Sequence, residues 1–161
     1  MARAQVLDGK WTHDREGGLV VFMVGMRVNK PWRVRTWWPV FTSFPRMLRE
    51  LYTDPSTGFL GYTGGVRGRG SIAVTYWRDL DSLMAYAHSS SNEHRPAWAA
   101  FNRLSRQSQG VVGIWHETYV VPPGGHESLY VGMPSLGLPK AVGTVEVTGA
   151  RDSQRARLAA S

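Results

Sequence analysis

The stretch LVVFMVGMRVN, residues 19–29, alternates without letting either side become polar. Val20, Phe22, Val24 and Met26 fall on one side of an extended chain, and Val21 and Met23 on the other. A strand of this kind has to be covered on both faces. The rest of the chain must supply those layers, and this narrows the fold more than any other feature of the sequence.

The segments that follow are short and well punctuated. Pro31 ends the first run. TWWPVFTSFPRMLRELYTD (36–54) has apolar residues at 37, 40, 41, 44, 48 and 51, the spacing of one helical face, with Arg46, Arg49 and Glu50 turned outward. Thr36 is the predicted cap; Pro39 suits the first turn, and Pro45 predicts a kink or a break. After the turn Asp54–Gly58, residues 58–79 read as a β-hairpin folded around Arg67-Gly68-Arg69-Gly70. That loop lacks the lysine and hydroxyl of a phosphate loop and lies between strands, so a nucleotide cradle is rejected. Residues 80–90 predict a short helix capped by Asp79, and 93–107 a second helix whose start is marked by Pro96. GVVGIWHETYVVPP (110–123) reads as a closing strand.

Strand, helix, strand, strand, broken helix, strand is one ferredoxin-like βαββαβ unit, an α+β fold. The expected organisation is an N-terminal arm (1–18), a domain over 19–148 and a flexible C-terminal tail (149–161). Both helices of such a unit lie on one side of its sheet. The other side then needs cover that 161 residues do not spare, which predicts a homodimer packed sheet on sheet.

Composition removes several functions. There is no cysteine, so disulfides, thiolate catalysis and cysteine-type zinc sites are excluded. No apolar run approaches the roughly 20 residues of a membrane-spanning helix, and the first 18 residues hold no signal-peptide core. A soluble cytoplasmic protein is expected. The net charge of +7 raises nucleic acid as a partner, but the basic residues are dispersed and match no nucleic-acid motif, so that partner is not expected. No GxSxG elbow or diagnostic carboxylate pair supports hydrolysis.

The reactive groups that remain are chiefly imidazoles. His13 and His126 lie in polar, glycine-bordered stretches and read as solvated, while His88 reads as a cation at a helix end. His116 sits mid-strand on the side of Ile114 and Thr118, either as a core residue or projecting into a pocket. His94 precedes a helical turn with Trp98 and Phe101 four and seven places on, so imidazole and aromatic rings share a side. That arrangement fits a packed histidine hydrogen-bonded to a carbonyl, and it also fits a single axial ligand to haem iron. Arg27, Lys30, Arg33 and Arg35, interleaved with Trp32, Trp37 and Trp38, form either a solvated loop or a surface for haem propionates. Arg27 is the preferred member, because it falls within the strand.

VVFMVGMRVNKPWRV, WWPVFTSFPRMLRELY, YWRDLDSLMAYAHSSSNEHRPAWAAFNR, VGIWHETYVV and YVGMPSLGLPKA, in that order, resemble a family of the dimeric α+β barrel superfamily named after a monooxygenase of the fumagillin pathway. The resemblance spans roughly residues 20–140. It implies a dimeric α+β barrel and a redox enzyme, a monooxygenase-type catalyst of specialised metabolism acting on a small hydrophobic metabolite. Haem-binding relatives imply haem b with His94 as metal ligand, Arg27 and Arg35 near the propionates, and Trp98, Trp115 and His116 around the cofactor. Cofactor-independent relatives imply His94 and His116 as acid–base groups that form an oxygen-reactive carbanion. An aldoxime-dehydratase-like enzyme and a non-catalytic haem or apolar-ligand carrier complete the alternatives.

Overall fold

The computed structural model describes residues 5–88, 96–108 and 110–161; of residues 96–101 it describes the backbone only. Four antiparallel strands form the main sheet: β2 (Leu19–Val28), β3 (Phe59–Arg67), β4 (Gly70–Trp77) and β5 (Val112–Val121), in the order β3-β4-β2-β5. With α1 (Val34–Thr53), α2 (Leu80–His88) and α3 (Pro96–Gln107) in the connections, this is the ferredoxin-like α+β order expected from the sequence. No helix of the described residues is long and apolar enough to cross a membrane.

β2 is the central strand, paired over eight or more residues with β4 on one side and with β5 on the other. Its first alternation packs under the helices. Val20 joins Met47, Leu51, Trp77, Leu83 and Tyr86 in one buried cluster, and Met26 and Val28 join Val40, Val111 and Val112 in another. Its second alternation, Val21 and Met23, lies on the opposite face and stays only half-buried. α1 is a single helix that contains both Pro39 and Pro45, where a break was expected at Pro45. The proline costs about 3 kcal/mol in an isolated helix, but Val40, Met47, Leu48 and Leu51 are buried on either side of it and hold both halves on the sheet. Thr36 is not the cap: the helix begins at Val34, behind Arg33. Asp79 does cap α2, accepting the Ser82 N–H at 2.7 Å. Hydrogen bonds from the Ser82 side chain and backbone and from Arg78 hold its carboxyl at about 2.

The arm expected to precede the domain is built into a second, smaller sheet with two later segments of the domain, and the expected tail carries a helix. β1 (Lys10–His13) lies between β6 (Tyr130–Val131) and β7 (Thr144–Glu146), and α4 (Leu138–Val142) packs against β3 of the main sheet. At the C-terminus α5 (Gln154–Ala159) buries Arg157. Its guanidinium meets Glu127 at 2.6 Å and donates to the carbonyls of Arg151 and Asp152 at 3.0 and 2.8 Å. A buried cation paired in this way anchors the last turn to the loop after β5.

His13 and His126 are buried, not solvated. Their polar neighbours fold over them: His126 Nε2 lies 2.8 Å from the Gly17 carbonyl, His126 Nδ1 lies 2.8 Å from His13 Nε2, and His13 Nδ1 lies 2.9 Å from Ser128 Oγ. A carbonyl only accepts, so His126 Nε2–H donates to Gly17. His13 Nε2 shares a proton with His126 Nδ1, and the Ser128 hydroxyl donates to a neutral His13. Burial first, then His126 and Arg151, push His13 from the ordinary 6.5 to about 4, against the opposing pull of Glu127 and Asp14.

A histidine held neutral in the fold binds its proton more readily once unfolded, so stability is full above the unfolded value and declines as pH falls toward the folded one. The urea midpoint is therefore expected to hold steady above pH 7 and to drop between pH 6.5 and about 4, with a smaller drop in His13→Asn; equal slopes in the two proteins would contradict this network. Arg157→Met, which strands Glu127, should cost about 3 kcal/mol in the same assay, whereas Lys10→Met, at an exposed ion pair with Asp152, should leave the midpoint nearly unchanged.

Candidate functional site

The alternation of β5 decides which residues face the helices. Ile114, His116 and Thr118 stand opposite Met26, Val24 and Phe22 of β2, on the helix-covered side. The helices do not fill the space above them. A cavity of about 340 Å³ remains, floored by Phe22, Val24, Thr75 and Trp77, roofed by Met47, Leu51, Leu83 and Tyr86, and closed at one side by His88 and Asn102. That volume lies at the small end of the range for ligand pockets.

Few polar groups enter this apolar space. The His116 ring stands 5.6 Å from that of Phe22, centre to centre, and makes no hydrogen bond among the described residues. His88 lies 3.0 Å from the Met84 carbonyl through Nδ1, which must therefore carry a proton and leaves Nε2 for a ligand. Thr75 donates to the Phe22 carbonyl and accepts from Trp77 Nε1, so its hydroxyl is already engaged. An imidazole with no hydrogen-bond partner among the described residues, beside a second one with a defined tautomer, can take and return a proton, and both rings stand exposed at the mouth of the cavity.

The residues expected to form one site are divided by the sheet. Trp115 points to the opposite face from His116, and its indole lies over Gly25, where even a methyl group would run into Nε1. Arg27 is on that same opposite face and exposed, and Arg35 is exposed in the first turn of α1. Arg27 lines a hollow on the outer face of the sheet that Arg35 does not reach. Trp98 lies in α3, but its side chain is outside the described residues, and so is His94. Among the described residues no arginine or lysine lines the His116 cavity. The described donor set therefore does not fit a haem with two propionates, and no step is derived through one.

Sequence reasoning passed over His88, Asn102, Met84 and Thr118 as site residues. His88 did carry a signal, since it follows Met84 by four places and so shares its side of α2. Asn102 had none, because only the packing of α3 along α1 brings it to the cavity.

The family model for "Monooxygenase af470-like" matches residues 19–138. The chain belongs to this family. Every residue that lines the cavity falls within the matched span, whereas β1, β7 and α5 lie outside it. The monooxygenase af470 of Aspergillus fumigatus is 30% identical over 173 residues, covering 92% of this chain and 56% of that protein; the chain thus spans little more than half of its relative's length. Among solved structures, a Bacteroides thetaiotaomicron protein described as a possible oxidoreductase is 15% identical, with a TM-score of 0.43 over 64% of this chain and 97% of that one. SnoaB, a cofactor-independent oxygenase from Streptomyces nogalater, is 18% identical, with a TM-score of 0.38 over 63% and 91%.

A cavity with these walls should bind a neutral aromatic. The fluorescence of N-phenyl-1-naphthylamine is expected to rise with this af470-like protein and to lose that rise in Thr118→Trp, which fills the space from β5. Tyr119→Trp, on the other face, should keep it; equal behaviour of the two variants would mean that the probe binds elsewhere.

Proposed function

We propose that this af470-like protein is a monooxygenase that oxidises a small, flat, electron-rich carbon acid in the His116 cavity. The observation that carries the reading is an imidazole, unpartnered among the described residues, facing an apolar hollow between sheet and helices. His116 removes a proton from an activated methylene group of the substrate. The resulting carbanion passes one electron to dioxygen, and recombination gives a hydroperoxide. Loss of water then leaves a carbonyl, so that R2CH2 and O2 become R2CO and H2O. The substrate supplies all four electrons and no external reductant is consumed. His88 stands on the same cavity and can return the proton as water leaves. The apolar walls favour the delocalised carbanion.

The haem-bound version expected from the resemblance rests on His94, outside the described residues, and on arginines that do not reach this cavity. The cofactor-free route needs only groups that line it. Family membership supports the reaction class, and the substrate remains defined by chemistry alone: apolar, flat and acidic at carbon.

The same reading includes a homodimer. Val21, Met23 and Val74 form a half-buried apolar strip on the sheet face away from the helices, and α4 covers that face near Gly61 and Tyr76. A second copy packed across the strip would bury it.

Oxygen uptake with a panel of phenolic and 1,3-dicarbonyl carbon acids tests the chemistry. His116→Ala should lower kcat by about 100-fold or more, in keeping with loss of a general base, with no haemin requirement. Equal rates in His116→Ala, or uptake that depends on added haemin, would sink this route. Met23→Lys should shift sedimentation from dimer to monomer.

A further inference from the structure

The opposite face of the sheet carries a second hollow, of about 480 Å³, at the tip of the β3–β4 hairpin. Its shape follows from the register. Arg67, Gly70, Arg27 and Gly113 pair across all four strands in one row, and Gly65, Ile72, Gly25 and Trp115 pair in the next. Paired residues share a face, so both rows project away from the helices. In the first row two arginines stand on either side of a glycine, with another glycine beyond. In the second, the Trp115 indole lies flat across bare Gly25 beside Ile72.

The arrangement is fixed by backbone. A Cβ on Gly70 would run into the Met26 carbonyl, so no side chain fits between Arg27 and Arg67. The turn that brings Arg69 to the same hollow is tied down by the Val28 N–H, which donates to the Arg69 carbonyl at 2.8 Å. Two strand spacings put the Cα atoms of Arg27 and Arg67 about 10 Å apart, wide enough to seat an anion between their guanidinium groups.

Charge is what makes the hollow unusual. Arg27, Arg67 and Arg69 all line it, none has an ion pair or side-chain hydrogen bond among the described residues, and no carboxylate lines it. Glu117, on the same face one alternation beyond Trp115, accepts from the Tyr119 hydroxyl at 2.7 Å. Three like charges around one concavity repel one another, and an anion relieves that repulsion while accepting bidentate guanidinium bonds. Indole and isoleucine beside the charges offer a flat apolar shelf.

We propose that this hollow is a binding site for a small aromatic anion, a flat ring system bearing a phosphate or carboxylate, separate from the His116 cavity on the other side of the sheet. The anionic group sits over Gly70 between Arg27 and Arg67, with Arg69 closing on it, and the ring lies against Trp115.

The test uses the full chain and 1-naphthyl phosphate, followed by calorimetry. One equivalent per chain should bind, more tightly than inorganic phosphate or neutral 1-naphthol, and more weakly as salt is raised. Arg27→Gln and Arg67→Gln should each weaken binding by about tenfold, the loss of one charge-assisted contact. Both residues are exposed, so these variants should keep the far-ultraviolet dichroism of the parent. Trp115→Ala should lower affinity for naphthyl phosphate while leaving that for inorganic phosphate unchanged, and His116→Ala should change neither. The proposal is overturned if naphthyl phosphate fails to bind, if the arginine variants bind it normally, or if His116→Ala abolishes binding. It is equally overturned if Arg27→Gln turns a dimer into monomers in sedimentation while naphthyl phosphate is ignored, since a second copy would then be the occupant.

Discussion

The pairing of β2 on both edges is the constraint from which the rest of the molecule follows. Because β4 and β5 flank it along nearly its full length, its side chains can leave only upward into the helices or downward onto the opposite face. The upward set, Val20 to Val28, nucleates the two buried clusters that hold α1 in place despite two internal prolines. The downward set leaves an apolar strip bounded by a basic trough. Both candidate sites are therefore consequences of one strand and of the alternation that its neighbours inherit from it.

This geometry sets apart two chemistries that lie next to each other in the sequence. His116 and Trp115 are consecutive, yet they serve opposite faces of the sheet, as any consecutive pair in a strand must. Arg27 goes with Trp115 for the same reason. A haem site assembled from all three would have needed a break in the strand, and β2 and β5 pair without one. What stands instead is an apolar cavity with imidazoles on the inner face and an arginine-rich hollow on the outer one. The first suits proton transfer to and from carbon, and the second suits recognition of an anion.

Much of the main sheet was legible because its signals are local. The doubly apolar run at 19–29, the glycine-bounded hairpin and the Asp79 cap each depend on residues a few places apart, and each is present in the fold. The second sheet was not legible. β1, β6 and β7 are two to four residues long, too short for periodicity to register, and they meet only through pairings more than 100 residues apart in sequence. His13 and His126 misled for a related reason. Glycine and polar neighbours usually mark solvent, but here those neighbours supply the carbonyl and the hydroxyl that satisfy the two rings inside the protein.

Taken alone, the sequence determined the order of strands and helices, the identity of the central strand, the family and the sharing of one side of β5 by His116, Ile114 and Thr118. These rest on alternation and spacing, which act between near neighbours. Only the tertiary structure decided that His88 and Asn102 share a cavity with His116, that Arg27 faces away from it beside Arg67 and Trp115, and that the chain ends are anchored by Arg157 and the two buried histidines. Those outcomes depend on strand register and on how helices lean across a sheet. Both are settled by the collective packing of many distant side chains, which no short stretch of sequence contains.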